Sequence, residues 1–209
     1  MNKIVVFALL ISLFSVKSYS EGGSRHAINE TSFDFYIGLD AFTGDSYRKV
    51  KINGAPYKDE YDQAGFRLLV GKILKQGFRL EAYYASEDFD VKDESLLSVF
   101  DKEIMSVGVS LIKTFDADRI FQPYFLAGFI GSRTRLTDPS FDFSSNSLNG
   151  AGFKLGAGMY FQVLENTEFK LGAAFQRRSW QDLEPEGSST LITLDDEGVT
   201  LYMGANVHF

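Results

Sequence analysis

Residues 199–209 read VTLYMGANVHF, and this stretch decides the fold because apolar residues occupy every second position to the last residue. Successive side chains of a β-strand point to opposite faces, so a period of two places the apolar row on one face. The other face then carries Thr200, Tyr202, Gly204, Asn206 and His208. An apolar face toward lipid, opposite a face toward a polar interior, is typical of a strand in a transmembrane β-barrel.

Seven earlier segments show the same alternation of apolar and other residues. They are 33–41, 66–71, 78–84, 105–111, 121–131, 153–161 and 169–176. The segment 121–131 is ambiguous in phase, and we place Gln122, Tyr124 and Gly128 in the interior because their parity is the more polar one. The opposite parity, which we predict to face lipid, is that of Phe121, Phe125, Ala127 and Phe129.

The connections between these segments alternate between two lengths. The short ones are 73–77, 113–119 and 162–167. The long ones are 43–63, 87–103, 132–149 and 181–197. Outer-membrane barrels have an even number of strands, short periplasmic turns and longer external loops. The sequence therefore predicts an all-β chain that forms an eight-stranded antiparallel transmembrane β-barrel with up-and-down topology.

The competing interpretation is a soluble eight-stranded barrel that carries a ligand, whose apolar face would point inward. Two features favour the membrane barrel: the parity opposite the apolar row is rich in glycine, which suits a crowded lumen, and aromatic residues of the apolar row fall near both strand ends, as in membrane girdles. One predicted girdle is Phe33, Phe78, Phe121, Phe161, Phe169 and Phe209, and the other is Phe66, Tyr84, Phe129, Phe153 and Phe175.

The first 20 residues have the pattern of a cleaved secretory signal peptide, with an apolar run at 4–16 that is shorter than the roughly 20 residues of a spanning helix. We therefore predict a signal peptide at 1–20, a short periplasmic segment at 21–31 and the barrel at 32–209. Loss of Lys3 and Lys17 changes the formal net charge from −7 to −9, and so acidic a chain is not expected to bind nucleic acid. The chain has no cysteine, so burial and hydrogen bonds rather than disulfides must stabilise it.

Three stretches resemble the superfamily of eight-stranded outer-membrane barrels that includes the OmpA transmembrane domain, the opacity and Ail-type surface proteins, and porin-like barrel domains. They are 123–128 (PYFLAG), 156–160 (GAGMY) and 201–209 (LYMGANVHF). The resemblance implies location in the outer membrane of a Gram-negative bacterium, whereas function varies within the superfamily. It also implies that Tyr202, Val207 and the terminal Phe209 belong to the signal that the barrel assembly machinery recognises.

Charged residues of both signs share the interior parity, and eight strands enclose a lumen only just wide enough for side chains. We therefore predict a buried network of ion pairs and hydrogen bonds, with Glu81 and Arg67 as the first pair expected because they lie on adjacent strands. An ion path gated by the same charges is the alternative. The predicted lumen residues are Asp34, Asp40, Arg67, Arg79, Glu81, Lys154, Lys170 and Arg178.

The predicted function is a structural or surface-interaction role, similar to that of an adhesin, through four extracellular loops. A narrow porin-like channel for small solutes or ions is the alternative. An enzyme that modifies lipid A is not expected, because it needs a histidine near the outer leaflet and both His26 and His208 fall on the periplasmic side.

Acidic residues are concentrated in 87–103 and 181–197. These segments are either solvated or hold divalent cations that bridge to lipopolysaccharide phosphates, but they lack the spacing of a calcium loop, and we predict no metal site and no cofactor. The expected partners are outer-membrane lipid, lipopolysaccharide, the barrel assembly machinery and an unidentified extracellular ligand.

Overall fold

The computed structural model describes residues 34–91, 100–115, 120–136, 147–183 and 190–209. The predicted signal peptide 1–20, the segment 21–31 and residues 32 and 33 lie outside the described residues. Within the described ranges the chain forms eight strands: β1 (Phe35–Ile52), β2 (Ala55–Ile73), β3 (Phe78–Val91), β4 (Phe100–Thr114), β5 (Phe121–Leu136), β6 (Ser147–Leu164), β7 (Thr167–Trp180) and β8 (Ile192–His208).

The strands form a closed ring in which each pairs antiparallel with its sequence neighbours and β1 pairs with β8. If the cross-strand partners are followed around the ring from Tyr36 of β1, the path passes through Glu81 and Lys154. It returns to β1 at Ser46, not at Tyr36. The strands are therefore staggered, as closure of a barrel requires. The predicted fold class is confirmed. In the described part of the chain, no helix has the length and apolar character needed to cross a bilayer.

The apolar row of every strand faces outward, as predicted. Phe35, Leu155, Leu171 and Leu201 are 42%, 51%, 51% and 60% exposed. The predicted phase of β5 is also confirmed, because its outward residues include Phe129, which is 79% exposed. We call these outward apolar rows the lipid belt. The end of the barrel at Phe35 and Phe209 is called the lower end, and the opposite end the upper end.

The prediction of a long loop at 43–63 is wrong, because β1 and β2 stay paired up to Ile52 and Ala55. Only Asn53 and Gly54 form the turn, with φ values of 49° and 85°. Positive φ at both central residues is the geometry of a two-residue type I′ hairpin turn, which Asn-Gly favours and which matches the twist of the flanking strands. The hairpin therefore extends above the lipid belt.

The interior of this upper part contains a second cluster of buried apolar residues, separate from the tyrosine-rich cluster at the level of the lipid belt. Buried apolar residues of seven strands pack together there, while Lys49 and Asp195 face outward. An apolar interior with a polar exterior is the pattern of a soluble barrel. The barrel thus carries a small soluble-type core on top of its membrane-spanning part. This core is Val50, Tyr61, Phe89, Ile104, Leu148, Trp180, Leu183 and Leu194.

Lower in the barrel, tyrosines lie directly against glycines of the neighbouring strand. A Cβ atom on Gly172, for example, would lie 2.5 Å from the hydroxyl oxygen of Tyr202. A ring laid over a glycine fills the interior while the two strands stay in register. The four pairs of this kind are Tyr36 with Gly71, Tyr83 with Gly108, Tyr124 with Gly158, and Tyr202 with Gly172.

Candidate functional site in the barrel interior

The structure places seven of the eight predicted lumen residues inside the barrel, each no more than 6% exposed. Asp34 does not join them, because it precedes the first residue of β1 and is exposed at the lower end. The seven buried residues are Asp40, Arg67, Arg79, Glu81, Lys154, Lys170 and Arg178.

Asp40 is the centre of what we call the middle cluster, which comprises Asp40, Arg67, Glu81, Lys154 and Lys170. An oxygen of its carboxylate lies 3.2 Å from Nη1 of Arg67, and the other lies 3.0 Å from Nζ of Lys170. Lys170 also approaches Glu81 at 3.5 Å, and Glu81 accepts a 3.0 Å hydrogen bond from the hydroxyl of Tyr36. One carboxylate therefore joins cations from two different strands.

The predicted pair of Glu81 with Arg67 is not formed. In the register Arg67 lies opposite Asp40 on β1, whereas Glu81 lies opposite Gly71, nearer the lower end than Arg67. Arg67 therefore forms its ion pair with Asp40, its direct cross-strand neighbour. Glu81 instead lies near Lys170 and accepts a hydrogen bond from Tyr36.

The lower cluster comprises Arg79, Glu168, Gln122, Asn206 and His208. Arg79 donates hydrogen bonds to Glu168 and, at 3.1 Å, to Oε1 of Gln122. Glu168 also accepts a 2.9 Å hydrogen bond from Asn206 and lies 3.3 Å from Nε2 of His208. The sequence prediction missed Glu168 because it began the strand at residue 169, although Glu168 has the interior parity of Lys170.

The upper cluster comprises two ion pairs inside the soluble-type core. Arg48 donates to both carboxylate oxygens of Asp196, at 2.5 Å from Nε and 2.7 Å from Nη2, and Nε1 of Trp180 donates to Asp196 at 2.7 Å. Arg178 donates to both oxygens of Glu87, at 3.1 and 3.0 Å. The Arg48–Asp196 pair is bidentate, which holds both partners in a fixed orientation, whereas Arg178 contacts both oxygens of Glu87 through Nη2 alone. Arg48, Asp196 and Glu87 fell in segments predicted as loops and were not predicted as site residues.

Two of the buried arginines are each surrounded by three aromatic rings. The guanidinium carbon of Arg67 lies 4.9 to 5.7 Å from the ring centroids of Phe42, Tyr83 and Tyr202. That of Arg48 lies 5.5 to 5.7 Å from the centroids of Tyr61, Phe89 and Trp180. Cation–π contacts stabilise an arginine in a desolvated position, so the rings and charges together fill the cross-section.

Lys154 differs from the other buried cations. Its Nζ lies 4.2 Å from the ring centroid of Tyr83, and it forms no ion pair with any residue that the structure describes. Among the described residues, Lys154 is therefore the basic side chain of the middle cluster that has no carboxylate partner.

Outside the barrel, just above the lipid belt, Glu197 binds three outward-facing residues. It accepts a hydrogen bond from Tyr47, lies 3.0 Å from Nζ of Lys49 and lies 3.5 Å from Nε of Arg177. The hydrogen bonds from Tyr47 and Lys49 lower the pKa of the Glu197 carboxyl group. Glu197, Asp196 and Glu87 belonged to the acidic segments considered for divalent cations, but all three are engaged with basic side chains instead.

The residues predicted as the assembly signal lie on both faces of β8. Tyr202 is buried in the lumen, while Val207 and Phe209 are 43% and 61% exposed on the outer face. The ring of Phe209 stacks on that of Phe35 at 6.5 Å. Among the residues that the structure describes, no group of three His, Cys, Asp or Glu side chains is arranged to hold a metal ion.

Comparisons with known proteins agree with this architecture. The family model described as "Outer membrane protein beta-barrel domain" matches residues 6–209. The outer membrane protein OprG from Pseudomonas aeruginosa aligns with a TM-score of 0.54 at 17% identity, over 84% of this chain and 95% of that chain. AlkL, solved by solid-state NMR in DMPC bilayers, aligns with a TM-score of 0.52 at 13% identity, over 91% and 95%.

Neisserial surface protein A aligns with a TM-score of 0.49 at 19% identity, over 84% of this chain and 97% of that chain. At these identities the likeness concerns the fold alone. No curated protein sequence matches significantly. The closed ring of eight strands and the match over residues 6–209 together show that the chain belongs to the outer membrane protein beta-barrel domain family.

Proposed function

We propose that this protein is a non-conducting and non-catalytic surface barrel that acts through the connections at its upper end. The observation that carries the proposal is the filled lumen: ion pairs between β3 and β7 cross the interior in the lower, middle and upper clusters. Short turns of outer-membrane barrels face the periplasm, so we assign the lower end to the periplasm and the upper end to the cell exterior.

The energy of the buried pairs supports a closed lumen. Breaking a buried ion pair by removing one partner costs roughly 3 to 5 kcal/mol, and a continuous water path needs a breach in all three clusters. The three clusters therefore oppose opening of the barrel along its full length. A channel that conducts would instead solvate its lumen charges, and those charges would then contribute little to stability.

Conductance in planar bilayers tests this proposal. We expect purified wild-type protein to give no steady single-channel current. The triple variant Arg67→Ala, Tyr83→Ala, Tyr202→Ala removes one arginine of the middle cluster and two of the three rings around it, but leaves the lower and upper clusters intact, so it should also give no steady current. Large steady currents from the wild type would refute the proposal of a non-conducting barrel and favour the narrow channel.

Binding by whole cells tests the surface role itself. Cells that display the protein are compared, on arrays of glycans and matrix proteins, with cells whose protein has a glycine-serine segment of equal length at 137–146. We expect a binding signal that is lost or reduced in the replaced variant at an equal surface level. Equal binding by cells with and without the protein on every array would refute the surface-interaction role.

We also propose that the last strand is the signal for the barrel assembly machinery and that residues 1–20 are removed during export. Deletion of Phe209 should lower the amount of folded barrel in the outer membrane, whereas Phe129→Ala, which also removes an exposed phenylalanine, should not. Mass spectrometry of the membrane form should give a chain that starts at Glu21. An undiminished level after deletion of Phe209 would contradict the assembly proposal.

A further inference from the structure

The outer surface of the barrel carries an apolar groove of about 390 Å³ across β4, β5 and β6, near the lower end. Its walls include Leu111, Phe125 and Leu155, and its base includes Ala127. Ala127 pairs in register with Leu111 on one side and Leu155 on the other. A small residue between two leucines leaves a notch in the lipid belt, and Phe125, which is 63% exposed, borders it on the lower side.

Lys113 lies at the lower end of this groove. It pairs in register with Phe78 and Phe125, and its Nζ lies 4.6 Å from the ring centroid of Phe78. Nζ donates one hydrogen bond to the backbone carbonyl of Gln76, so two N–H donors remain for another partner. Among the described residues, no carboxylate forms an ion pair with Lys113.

The position of Lys113 corresponds to the headgroup region of the periplasmic leaflet. Phe78, Phe121 and Phe161 line the same end of the barrel on the outer face, and aromatic rings of membrane barrels mark the interface between hydrocarbon and water. A lysine at this depth extends its ammonium group toward the polar region while its methylene chain stays in the apolar one. The groove thus combines an apolar depression at the level of the lipid hydrocarbon with the Lys113 ammonium group at the level of the lipid headgroups.

We propose that the groove is a binding site for one anionic glycerophospholipid of the periplasmic leaflet, with an acyl chain over Ala127 and the phosphate on Lys113. The groove opens to the bilayer, so its occupant must be a membrane lipid rather than a water-soluble ligand. Its cation lies at the lower end, away from the leaflet that contains lipopolysaccharide. A phosphodiester complements the charge of Lys113, and the acyl chain fills space that the leucine side chains leave open.

Native mass spectrometry of the full chain, titrated with phosphatidylglycerol, tests the role of Lys113. We expect one saturable lipid, and Lys113→Gln should weaken its binding about fivefold. The matched control is Lys72→Gln, because Lys72 also lies at the lower end, with Nζ 4.9 Å from the ring centroid of Phe35, but does not line the groove. The control should bind phosphatidylglycerol as the wild type does.

A second pair of variants tests the notch independently of charge. Ala127→Phe fills the groove and should displace both phosphatidylglycerol and zwitterionic phosphatidylethanolamine, whereas Lys113→Gln should affect only the anionic lipid. Ala82→Phe is the control, since Ala82 is an outward alanine of β3 that does not line the groove. The proposal would be overturned if lipid binding did not saturate and none of the four substitutions changed it. It would also be overturned if Lys113→Gln and Ala127→Phe lost no more binding than their controls Lys72→Gln and Ala82→Phe.

Discussion

Asp40 in the lipid-surrounded half of the lumen is shared by Arg67 and Lys170, whereas Asp196 in the upper half binds Arg48 in a bidentate pair and accepts one further bond from Trp180. The middle cluster is thus a network that also includes an amine without a carboxylate partner, that of Lys154, and the upper cluster consists of separate pairs. The difference teaches that buried charge is arranged differently at the two levels, although buried apolar residues pack at both: carboxylates share basic partners where lipid encloses the wall, and they form separate pairs above the lipid belt.

The largest effect should come from Asp40→Asn. This change leaves Arg67, Lys170 and Lys154 with Glu81 as the one remaining carboxylate of the middle cluster, and we expect the free energy of unfolding to fall by about 4 to 5 kcal/mol. Urea unfolding in detergent micelles measures it. Lys154→Met should restore part of the loss in the double variant because it replaces a buried amine that has no carboxylate partner among the described residues. A double variant as unstable as Asp40→Asn would show that Lys154 is not coupled to the network.

A smaller loss is expected for Asp196→Asn, about 3 kcal/mol, because the upper cluster lies nearer the open end, where water can reach Arg48 once its partner is neutral. The neighbouring Asp195→Asn is the control: Asp195 faces outward and bonds Ser179 at 2.5 Å, so its replacement should change stability by no more than about 1 kcal/mol. If the two variants were equally stable, the upper pair would not be a buried one.

The same comparison explains which parts of the structure could be predicted from the sequence. Along the lipid belt the outward parity is apolar in every strand, so strands and faces follow from alternation. Above the belt the apolar parity reverses: Val199 of β8 faces lipid, but Leu194 of the same strand faces the core. A reversal of this kind interrupts the alternating pattern, so the sequence predicts loops where the upper strand ends lie. Arg48, Glu87 and Asp196 fall in those segments and are therefore not predicted as site residues.

The partners of the lumen charges could not be predicted for a different reason. Alternation assigns a residue to a face but leaves open which residue lies opposite it on the next strand, because register depends on turns and pairing. Arg67 was therefore assigned to Glu81 rather than to Asp40. One local signal was available and was missed: Asn53-Gly54 is a strong hairpin sequence, and it would have set the register of β1 and β2.

The tyrosine and glycine pairs of the lower half offer a change that involves no charge. Gly172→Ala should lower stability by about 1 to 3 kcal/mol, because its Cβ would lie 2.5 Å from the Tyr202 hydroxyl and 2.7 Å from the Ala157 carbonyl oxygen. Gly131→Ala is the control, since the nearest atom to its Cβ is 3.8 Å away. Thermal unfolding compares the two, and equal midpoints would show that the lumen has room to spare.

The smallest effect should come from the tip of the upper hairpin, where Gly54→Ala introduces a side chain that meets no atom within 4 Å but must adopt a φ of +85°. The cost is then purely conformational, about 1 kcal/mol, and it should be confined to the hairpin. Amide hydrogen exchange should show faster exchange at the hydrogen-bonded ends of β1 and β2 and no change in the lipid belt. Gly54→Asn should exchange almost as the wild type does, because asparagine tolerates positive φ far better than alanine. Equal exchange in the alanine and asparagine variants would mean that the tertiary contacts of Val50 and Tyr61, rather than the turn, hold the hairpin above the membrane.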